Sequence, residues 1–354
     1  MKILALGGTG AIGKHVCRLL AEAGWQVSCT TRSDRTSTVP NINYIKGDAK
    51  DRAFLTELLR ERWDAIVDFM VWSTTEFRRC CHALLSATDQ YVFTSSYRVY
   101  ASSNVITEQS PRLLDTLDDK AYLETDEYAL CKARCENILF ESNTHNWTII
   151  RPAITYDGSG RFQLGVHESR TWLWRALNGI AVPMPEEMLE KKATISWGGD
   201  VARLISRLIG NSKAMGEVFT VATSEHHSWR EISEFYNEAL PVALQIRECR
   251  YARFNEVMGN AAQIRYDRMF DRVIDNTKVL NATGLEQEDF ISTPVGIKRE
   301  IDRYLSAGRS PIPSVGENAR LDRLTGGAPS FLPCMKARGS FIELLRYTVR
   351  RCYG

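Results

Sequence analysis

The sequence predicts an α/β fold built on a doubly wound parallel sheet, with a second, smaller α/β lobe. Three observations support this prediction. Strand-like and helix-like segments alternate over the first half of the 354-residue chain, a glycine-rich loop follows the first strand, and the alternation loosens beyond Arg151. Alternation of this kind requires right-handed crossover connections, which place helices on both faces of a parallel sheet.

The predicted elements of the first half are short β-type runs separated by segments in which apolar residues have helical spacing. The predicted strands are residues 2–6, 26–31, 44–46, 65–70, 90–94 and 147–151. The predicted helices are residues 11–23, 51–62, 76–87 and 126–143.

The second half predicts a loop at residues 157–160 and a less regular set of elements. The predicted elements are helices at 171–177, 200–209 and 228–240, the last with Ser228 as its N-cap, and a strand at 217–222.

Residues 306–333 are rich in Gly, Pro and Ser, which predicts an extended linker. Residues 340–353 predict a helix with Phe341, Leu344, Leu345 and Thr348 on one face. We expect this helix to dock on its own chain or on a second subunit, a membrane surface being the alternative.

Composition excludes several classes of protein. The formal net charge is +2, so no overall field favours nucleic acid or an anionic membrane. No apolar run reaches the ~20 residues of a membrane span, and the N-terminus lacks a signal-peptide pattern, so we expect a cytoplasmic protein without a membrane span. The nine cysteines include no CxxC pair, which favours buried apolar packing and no metal site.

A glycine-rich loop, Gly7-Gly8-Thr9-Gly10-Ala11-Ile12-Gly13, joins the first strand to the first helix. Glycines allow the tight turn, the approach of a pyrophosphate to the backbone, and close packing of helix on strand. The helix N-terminus then offers N–H groups and partial positive charge to the phosphates. The loop therefore predicts dinucleotide binding.

The end of the second strand bears on the choice between NAD and NADP. NAD-binding chains usually have an acidic residue there, whereas this chain has Thr30-Thr31-Arg32-Ser33, with no carboxylate before Asp34. Arg32 can bind a 2′-phosphate through charge-assisted hydrogen bonds, which favours NADP over NAD. The alternative is a solvated arginine that stacks on adenine.

A phenol and an ammonium lie four residues apart in Tyr128-Ala129-Leu130-Cys131-Lys132, and therefore on one helix face. A nearby cation favours the phenolate, which suits Tyr128 to proton transfer at a carbinol. The fifth predicted strand ends in Ser95-Ser96-Tyr97-Arg98, which supplies a hydroxyl for the reacting oxygen.

Together these motifs resemble the NAD-dependent epimerase/dehydratase family, the extended short-chain dehydrogenases, over about residues 1–305. Further segments are similar to landmarks of that family: Gly47-Asp48-Ala49-Lys50-Asp51, Arg151-Pro152 with Tyr156-Asp157-Gly158, Asp200-Val201-Ala202 and Asp275-Asn276-Thr277-Lys278. The resemblance implies a Rossmann fold organised as a dinucleotide-binding domain (1–155), a mainly substrate-binding lobe interleaved with it (156–305), and a C-terminal extension (306–354).

The resemblance also implies roles for individual residues. It makes Ser96, Tyr128 and Lys132 the catalytic triad. It implies coenzyme contacts for Gly7, Thr9, Gly10, Ala11, Ile12, Gly13, Arg32, Asp48, Ala49, Phe69, Met70, Lys132, Pro152 and Ile154. In this scheme Asp48 lies near the adenine, and Pro152 and Ile154 border the nicotinamide.

Two departures from the family pattern narrow the expected chemistry. The fourth strand reads Val67-Asp68-Phe69-Met70-Val71, whereas the family usually has His-Leu-Ala-Ala there. This departure is closer to the atypical members of the family and to the chloroplast stem-loop RNA-binding relatives. Tyr97-Arg98 replaces the Asp-Glu pair of 4,6-dehydratases, which disfavours that reaction.

The expected function is hydride transfer, by epimerisation or reduction, at a carbinol or keto carbon of a nucleotide-activated sugar. Arg265, Arg268 and Arg272 are either diphosphate ligands or solvated surface arginines. The resemblance suggests a homodimer, and no nucleic-acid partner is expected. The alternatives are an RNA-binding protein on the same fold, for which residues 309–354 supply a modest basic tail, and a non-catalytic NADP-binding regulator.

Overall fold

The computed structural model describes residues 1–259 and 261–353. The strands are β1 Lys2–Leu6, β2 Gln26–Thr31, β3 Ile42–Lys46, β4 Trp63–Asp68, β5 Thr88–Thr94, β6 Trp147–Pro152, β7 Ile154–Tyr156, β8 Gln163–Leu164, β9 His167–Glu168, β10 Val182–Pro185, β11 Lys192–Ala193, β12 Ile195–Trp197, β13 Glu217–Val221, β14 His227–Ser228 and β15 Ile246–Cys249.

The α-helices are α1 Gly13–Glu22, α2 Arg52–Leu58, α3 Thr74–Ser86, α4 Leu113–Thr116, α5 Lys120–Leu123, α6 Tyr128–Phe140, α7 Trp172–Leu177, α8 Glu186–Leu189, α9 Gly198–Leu208, α10 Trp229–Ala239, α11 Tyr251–Met258, α12 Thr277–Thr283, α13 Thr293–Ser306, α14 Val315–Thr325, α15 Phe331–Arg338 and α16 Phe341–Cys352. The chain divides into two compact units. Unit one is Met1–Thr155, Ile195–Ser224 and Ile274–Phe290, and unit two is Tyr156–Thr194, Glu225–Val273 and Ile291–Gly354.

A seven-stranded parallel sheet forms the centre of unit one, in the order β13-β6-β5-β4-β1-β2-β3. This order reverses between β1 and β4, so the carboxyl ends of these strands flank a crevice. Alternate side chains of β1 enter different cores: Ile3 and Ala5 pack with α1 and α9, whereas Leu4 and Leu6 pack with α3 and α6. The predicted doubly wound Rossmann sheet is therefore confirmed.

The predicted strand positions agree closely with the structure. Residues 2–6 and 26–31 match β1 and β2, and the other main strands differ by a few residues at their ends. Ser228 is the N-cap of α10, as predicted, and its hydroxyl accepts a hydrogen bond from the Glu231 N–H. Strands buried on both faces are easily recognised as strands, whereas their ends depend on local pairing.

The prediction of an extended linker at residues 306–333 is wrong, because α14 and the start of α15 lie there. The organising group is Asp322, which is fully buried in unit two. One oxygen lies 3.0 Å from Arg175 Nη1, and the other accepts from the Ser330 hydroxyl at 2.7 Å and the Tyr347 hydroxyl at 2.5 Å. This charged centre, with Val315 and neighbouring apolar side chains, holds the glycine-rich segment in a fold.

The predicted face of the last helix is also corrected. Helix α16 packs on α14 through Tyr347, which is buried, whereas Phe341 and Leu345 are largely exposed. The helix does dock on its own chain, but through a tyrosine whose hydroxyl is paired with Asp322. An apolar pattern alone did not identify that face. Among the described residues, no helix is both long and apolar enough to cross a bilayer.

Candidate functional site

The glycine loop connects β1 to α1 with the close packing that its sequence requires. Gly7 has φ +67°, and its N–H donates to the Thr30 hydroxyl on β2 at 2.9 Å. A Cβ on Gly13 would lie 2.7 Å from the Gly8 backbone, so no side chain fits there. Gly10 differs, because a Cβ at that position would meet nothing within 4 Å.

This contrast gives a prediction for coenzyme binding. Gly10→Ala is expected to weaken NAD(P)H binding about tenfold or more, because its methyl group would project towards the pyrophosphate position at the N-terminus of α1. Its melting temperature should stay within about 2 °C of the wild type, since the methyl contacts no protein atom. Fluorescence titration and thermal unfolding measure the two effects.

Gly13→Ala is the matched variant for this test, and it is expected to lower the melting temperature because its Cβ would collide with the Gly8 backbone. Wild-type affinity in a folded Gly10→Ala variant would contradict a role for this loop in coenzyme binding.

A cleft of about 310 Å³ opens beside the loop at the carboxyl ends of β1, β2 and β4. Seven of the predicted coenzyme residues line it: Gly7, Thr9, Arg32, Asp48, Ala49, Phe69 and Met70. Gly10, Ala11, Ile12 and Gly13 form the rest of the loop and the start of α1. Pro152 and Ile154 do not line this cleft; they lie at the end of β6 and the start of β7.

The side chains at the end of β2 leave an exposed cation at this cleft. Arg32 is exposed and makes no hydrogen bond or ion pair with any described residue. Asp34, the first carboxylate after the strand, lies 2.6 Å from Lys46 Nζ. The Asp34 carboxylate is therefore already paired, while the Arg32 guanidinium remains available to an anionic ligand.

Tyr128 and Lys132 project from the first two turns of α6 into a second cleft, of about 450 Å³. Lys50 and Val71 line this cleft and the first one, so the two clefts adjoin. The Arg98 guanidinium lies 5.3 Å and Lys132 Nζ lies 6.0 Å from the centre of the Tyr128 ring. Two cations therefore surround the phenol.

Lys132 is held by backbone carbonyl groups at the ends of two strands. Its Nζ donates to the Thr94 carbonyl at 2.6 Å and to the Met70 carbonyl at 3.0 Å. The side chain is 2% exposed, and its ammonium lies 4.7 Å from the centre of the Phe93 ring. A buried ammonium with fixed acceptors is a rigid source of positive charge beside the second cleft.

Ser96 lies two residues beyond the Thr94 carbonyl that Lys132 contacts. Its hydroxyl accepts from the Arg98 N–H at 3.2 Å, so it caps a 3₁₀ turn, Tyr97–Val99. The hydroxyl can still donate a hydrogen bond to another oxygen. Ser96 is nearly buried and does not line either of the two clefts.

Two buried carboxylates near the predicted site were missed by sequence reasoning. Asp68, at the end of β4, accepts from Trp72 Nε1 at 2.7 Å, from the Tyr91 hydroxyl at 2.6 Å and from the Met70 N–H at 2.8 Å. Burial raises the pKa of Asp68, and these hydrogen bonds oppose that shift. The sequence feature that could have identified Asp68 is its position as an acidic residue within the apolar run of a strand. Asp68 holds the segment whose Met70 carbonyl contacts Lys132.

Glu136 is the second of these carboxylates, and it is fully buried on α6. One oxygen accepts from the Ser95 hydroxyl at 2.6 Å and from Arg151 Nε at 2.8 Å. The other accepts from Arg151 Nη2 at 2.7 Å and from Arg112 Nη1 at 3.2 Å. Glu136 therefore ties the helix that carries Tyr128 to the end of β5.

The sequence left Arg265, Arg268 and Arg272 as either diphosphate ligands or solvated surface residues, and two of them are neither exposed nor unpaired. Arg268 and Arg272 are almost fully buried and both pair with Asp267. Arg268 Nε also donates to the Gly165 carbonyl, and Arg272 Nη2 to the Tyr266 carbonyl. These two arginines are structural groups of unit two rather than solvated ones, while Arg265 is exposed.

Comparison with known proteins identifies the type of domain that contains the glycine loop. Residues 7–171 match the family described as NAD(P)H-binding. The chain is 27% identical over 242 residues to the chloroplast stem-loop binding protein of 41 kDa b from Arabidopsis thaliana. That alignment covers 64% of this chain and only 59% of the relative.

Solved structures share the fold at low sequence identity. The epimerase Mth375 from Methanothermobacter thermautotrophicus has a TM-score of 0.67 at 17% identity, covering 87% of this chain and 93% of that one. The UDP-glucose 4-epimerase of Thermus thermophilus, in complex with NAD, has a TM-score of 0.63 at 18% identity, covering 87% of this chain and all of that one.

The fold and the glycine loop define an α/β protein with a dinucleotide-binding Rossmann domain. Residues 7–171 match an NAD(P)H-binding domain, and the solved epimerase structures share the fold of the chain.

Proposed function

We propose that this protein is an NAD(P)-dependent oxidoreductase or epimerase that transfers hydride at a carbinol or keto carbon of a nucleotide-activated sugar. The observation that carries the proposal is the pair Tyr128 and Lys132, which line a cleft adjoining that of the glycine loop. The structural neighbour named as a UDP-glucose 4-epimerase supports the substrate class.

The residues of the second cleft suit proton transfer at a carbinol. The bound nicotinamide would supply or accept the hydride. Tyr128 gives or takes the carbinol proton, and the cations of Lys132 and Arg98 lie beside its ring. Ser96, which lies outside both clefts, is the residue to which the family resemblance assigns the hydrogen bond to the reacting oxygen. Tyr97-Arg98 supplies no carboxyl group after this serine, so the residues support redox chemistry rather than water elimination.

NADP is the coenzyme that we propose, because Arg32 lines the first cleft without a protein partner among the described residues, while Asp34 is paired with Lys46. A guanidinium binds a 2′-phosphate with two parallel hydrogen bonds. NAD remains the alternative, and the structural neighbour from Thermus is in complex with NAD.

Titration with both coenzymes tests the proposal. The wild type is expected to bind NADPH about tenfold more tightly than NADH, and Arg32→Ala should remove that preference by weakening NADPH binding alone. Arg52→Ala is the matched control, because Arg52 is exposed on α2 and does not line the cleft.

Four other outcomes would change the interpretation. Equal weakening of both coenzymes by Arg32→Ala would indicate stacking on adenine. Tightly held NAD in the purified protein would contradict the NADP assignment and favour an epimerase that recycles its hydride. Failure to bind either coenzyme would contradict the enzymatic proposal, and bound coenzyme without hydride exchange on any nucleotide sugar would favour the non-catalytic regulator.

RNA binding is the second candidate function, because one relative is named as a stem-loop binding protein. A gel shift with an RNA hairpin would support it if binding weakened with salt and were unaffected by Tyr128→Phe. The two cations beside the Tyr128 ring support the enzymatic proposal over RNA binding.

A further inference from the structure

We propose that unit two contains a second ligand site, which binds the diphosphate group of a small molecule. The site is a cavity of about 420 Å³ formed largely by the C-terminal extension, and we name it the arginine pocket. Its cationic lining residues are Arg170, Arg320, Arg338, Arg346 and Arg350. The proposal is independent of the hydride chemistry, because it depends on no residue of unit one.

The positive charge of the arginine pocket is mostly unneutralised. Its carboxylates are Glu317 and Glu343, and Glu343 Oε1 lies 2.7 Å from Arg346 Nη1. The side chains of the other four arginines make no hydrogen bond or ion pair with any described residue. Among them, the Nε atom of Arg320 is buried without an acceptor. Guanidinium groups gathered at one cavity repel one another, and an anion that accepts from them removes this cost.

Two of the exposed arginines pack their side-chain stems against a helix of the same unit. The aliphatic stems of Arg346 and Arg350, one turn apart on α16, lie over Gly316, whose Cβ position is 3.6 Å from both. This packing places both stems beside the first turn of α14, where the Ser314 side chain makes no capping hydrogen bond. The partial positive charge of that helix end adds to the charge of the arginines.

The shape and lining indicate the class of ligand. A volume of about 420 Å³ lies in the range of small-molecule sites rather than of open polymer grooves. No aromatic ring lines the pocket among the described residues, so bases of single-stranded nucleic acid would find no stacking surface. Arginine pairs phosphate oxygens through two hydrogen bonds, and several arginines suit a group with more than one phosphate. A diphosphate, free or carried by a nucleotide, fits these features.

Calorimetric titration of the full chain with inorganic pyrophosphate, with NADPH in excess, tests the proposal. We expect one pyrophosphate to bind, and Arg346→Ala/Arg350→Ala to weaken it at least about tenfold. Arg78→Ala/Arg79→Ala is the charge-matched control: both residues are exposed on α3, and this pair should leave binding unchanged. Arg350→Glu, at an exposed position, should abolish binding and gives a second variant if the double variant is unstable.

Further measurements distinguish a nucleotide ligand from a free diphosphate. They also distinguish failure of this proposal from failure of the proposed function. Tighter binding of ADP than of pyrophosphate would support a nucleotide ligand, and equal binding would support the inorganic anion. Equal losses in both double variants, or no pyrophosphate binding with NADPH present, would overturn the arginine pocket. Dependence of RNA-hairpin binding on Arg346 and Arg350, without competition by pyrophosphate, would also overturn it in favour of RNA. Failure of NADPH to bind would contradict only the proposed function, because the variants still report on the pocket.

Discussion

Replacing Glu136 with alanine is expected to lower the free energy of unfolding by about 3–5 kcal/mol. The fully buried carboxylate is the charge partner of Arg151, which is 3% exposed, and it also accepts from Arg112 and the Ser95 hydroxyl. Its removal leaves a guanidinium buried without a countercharge, and the desolvation cost of that charge is no longer offset.

Urea unfolding of the wild type, Glu136→Ala and Glu141→Ala measures this effect. Glu141 is an exposed carboxylate at the end of the same helix, so its removal should change stability by less than about 0.5 kcal/mol. Glu136→Gln should lie between the two, because it keeps acceptor atoms but loses the charge. A loss below about 1 kcal/mol in Glu136→Ala would contradict the view that this cluster fixes α6 against β5.

The same cluster connects stability to the candidate active site. Ser95, held by Glu136, precedes Ser96, and Thr94 supplies a carbonyl to Lys132. Glu136 is therefore a positioning residue: it orients the strand end and the helix without lining either cleft. This arrangement explains the arginine of the Arg-Pro motif at the end of β6, because Arg151 is the countercharge of the buried Glu136.

The central sheet could be predicted from the sequence because its inner strands are largely apolar on both faces and bounded by turn residues. Glu136 could not, because nothing in its local sequence distinguishes it from an exposed helical glutamate. Its role depends on Arg112 and Arg151, which come from other parts of the chain. The fold of residues 306–333 was missed for the same reason: Asp322 becomes a helix-organising group only with Arg175 and Tyr347 beside it.

The sequence motifs predicted which residues belong to the candidate site, but not the charged groups and hydrogen bonds that surround them. The spacing of Tyr128 and Lys132 places them on one face of a helix. The sequence does not show that Lys132 is held by two strand-end carbonyls, or that Arg98 adds a second cation at the phenol. Arg98 takes this position because Glu127, the N-cap of α6, pairs with it at 2.7 Å.

Tyr128→Phe is expected to lower kcat for hydride transfer by about 10²–10⁴-fold, because phenylalanine keeps the ring but has no proton to exchange. The ring's contacts with Arg98 and Lys132 do not need the hydroxyl, so NADPH affinity and melting temperature should stay close to the wild type. The measurement is the steady-state oxidation of NADPH by a UDP-4-keto-hexose, from which kcat is obtained. Tyr122→Phe is the matched control, since the Tyr122 hydroxyl donates to Glu127, at the N-cap just before Tyr128, without lining the cleft. More than about a tenth of wild-type kcat in Tyr128→Phe, or an equal loss in Tyr122→Phe, would remove the phenol from the proton-transfer step.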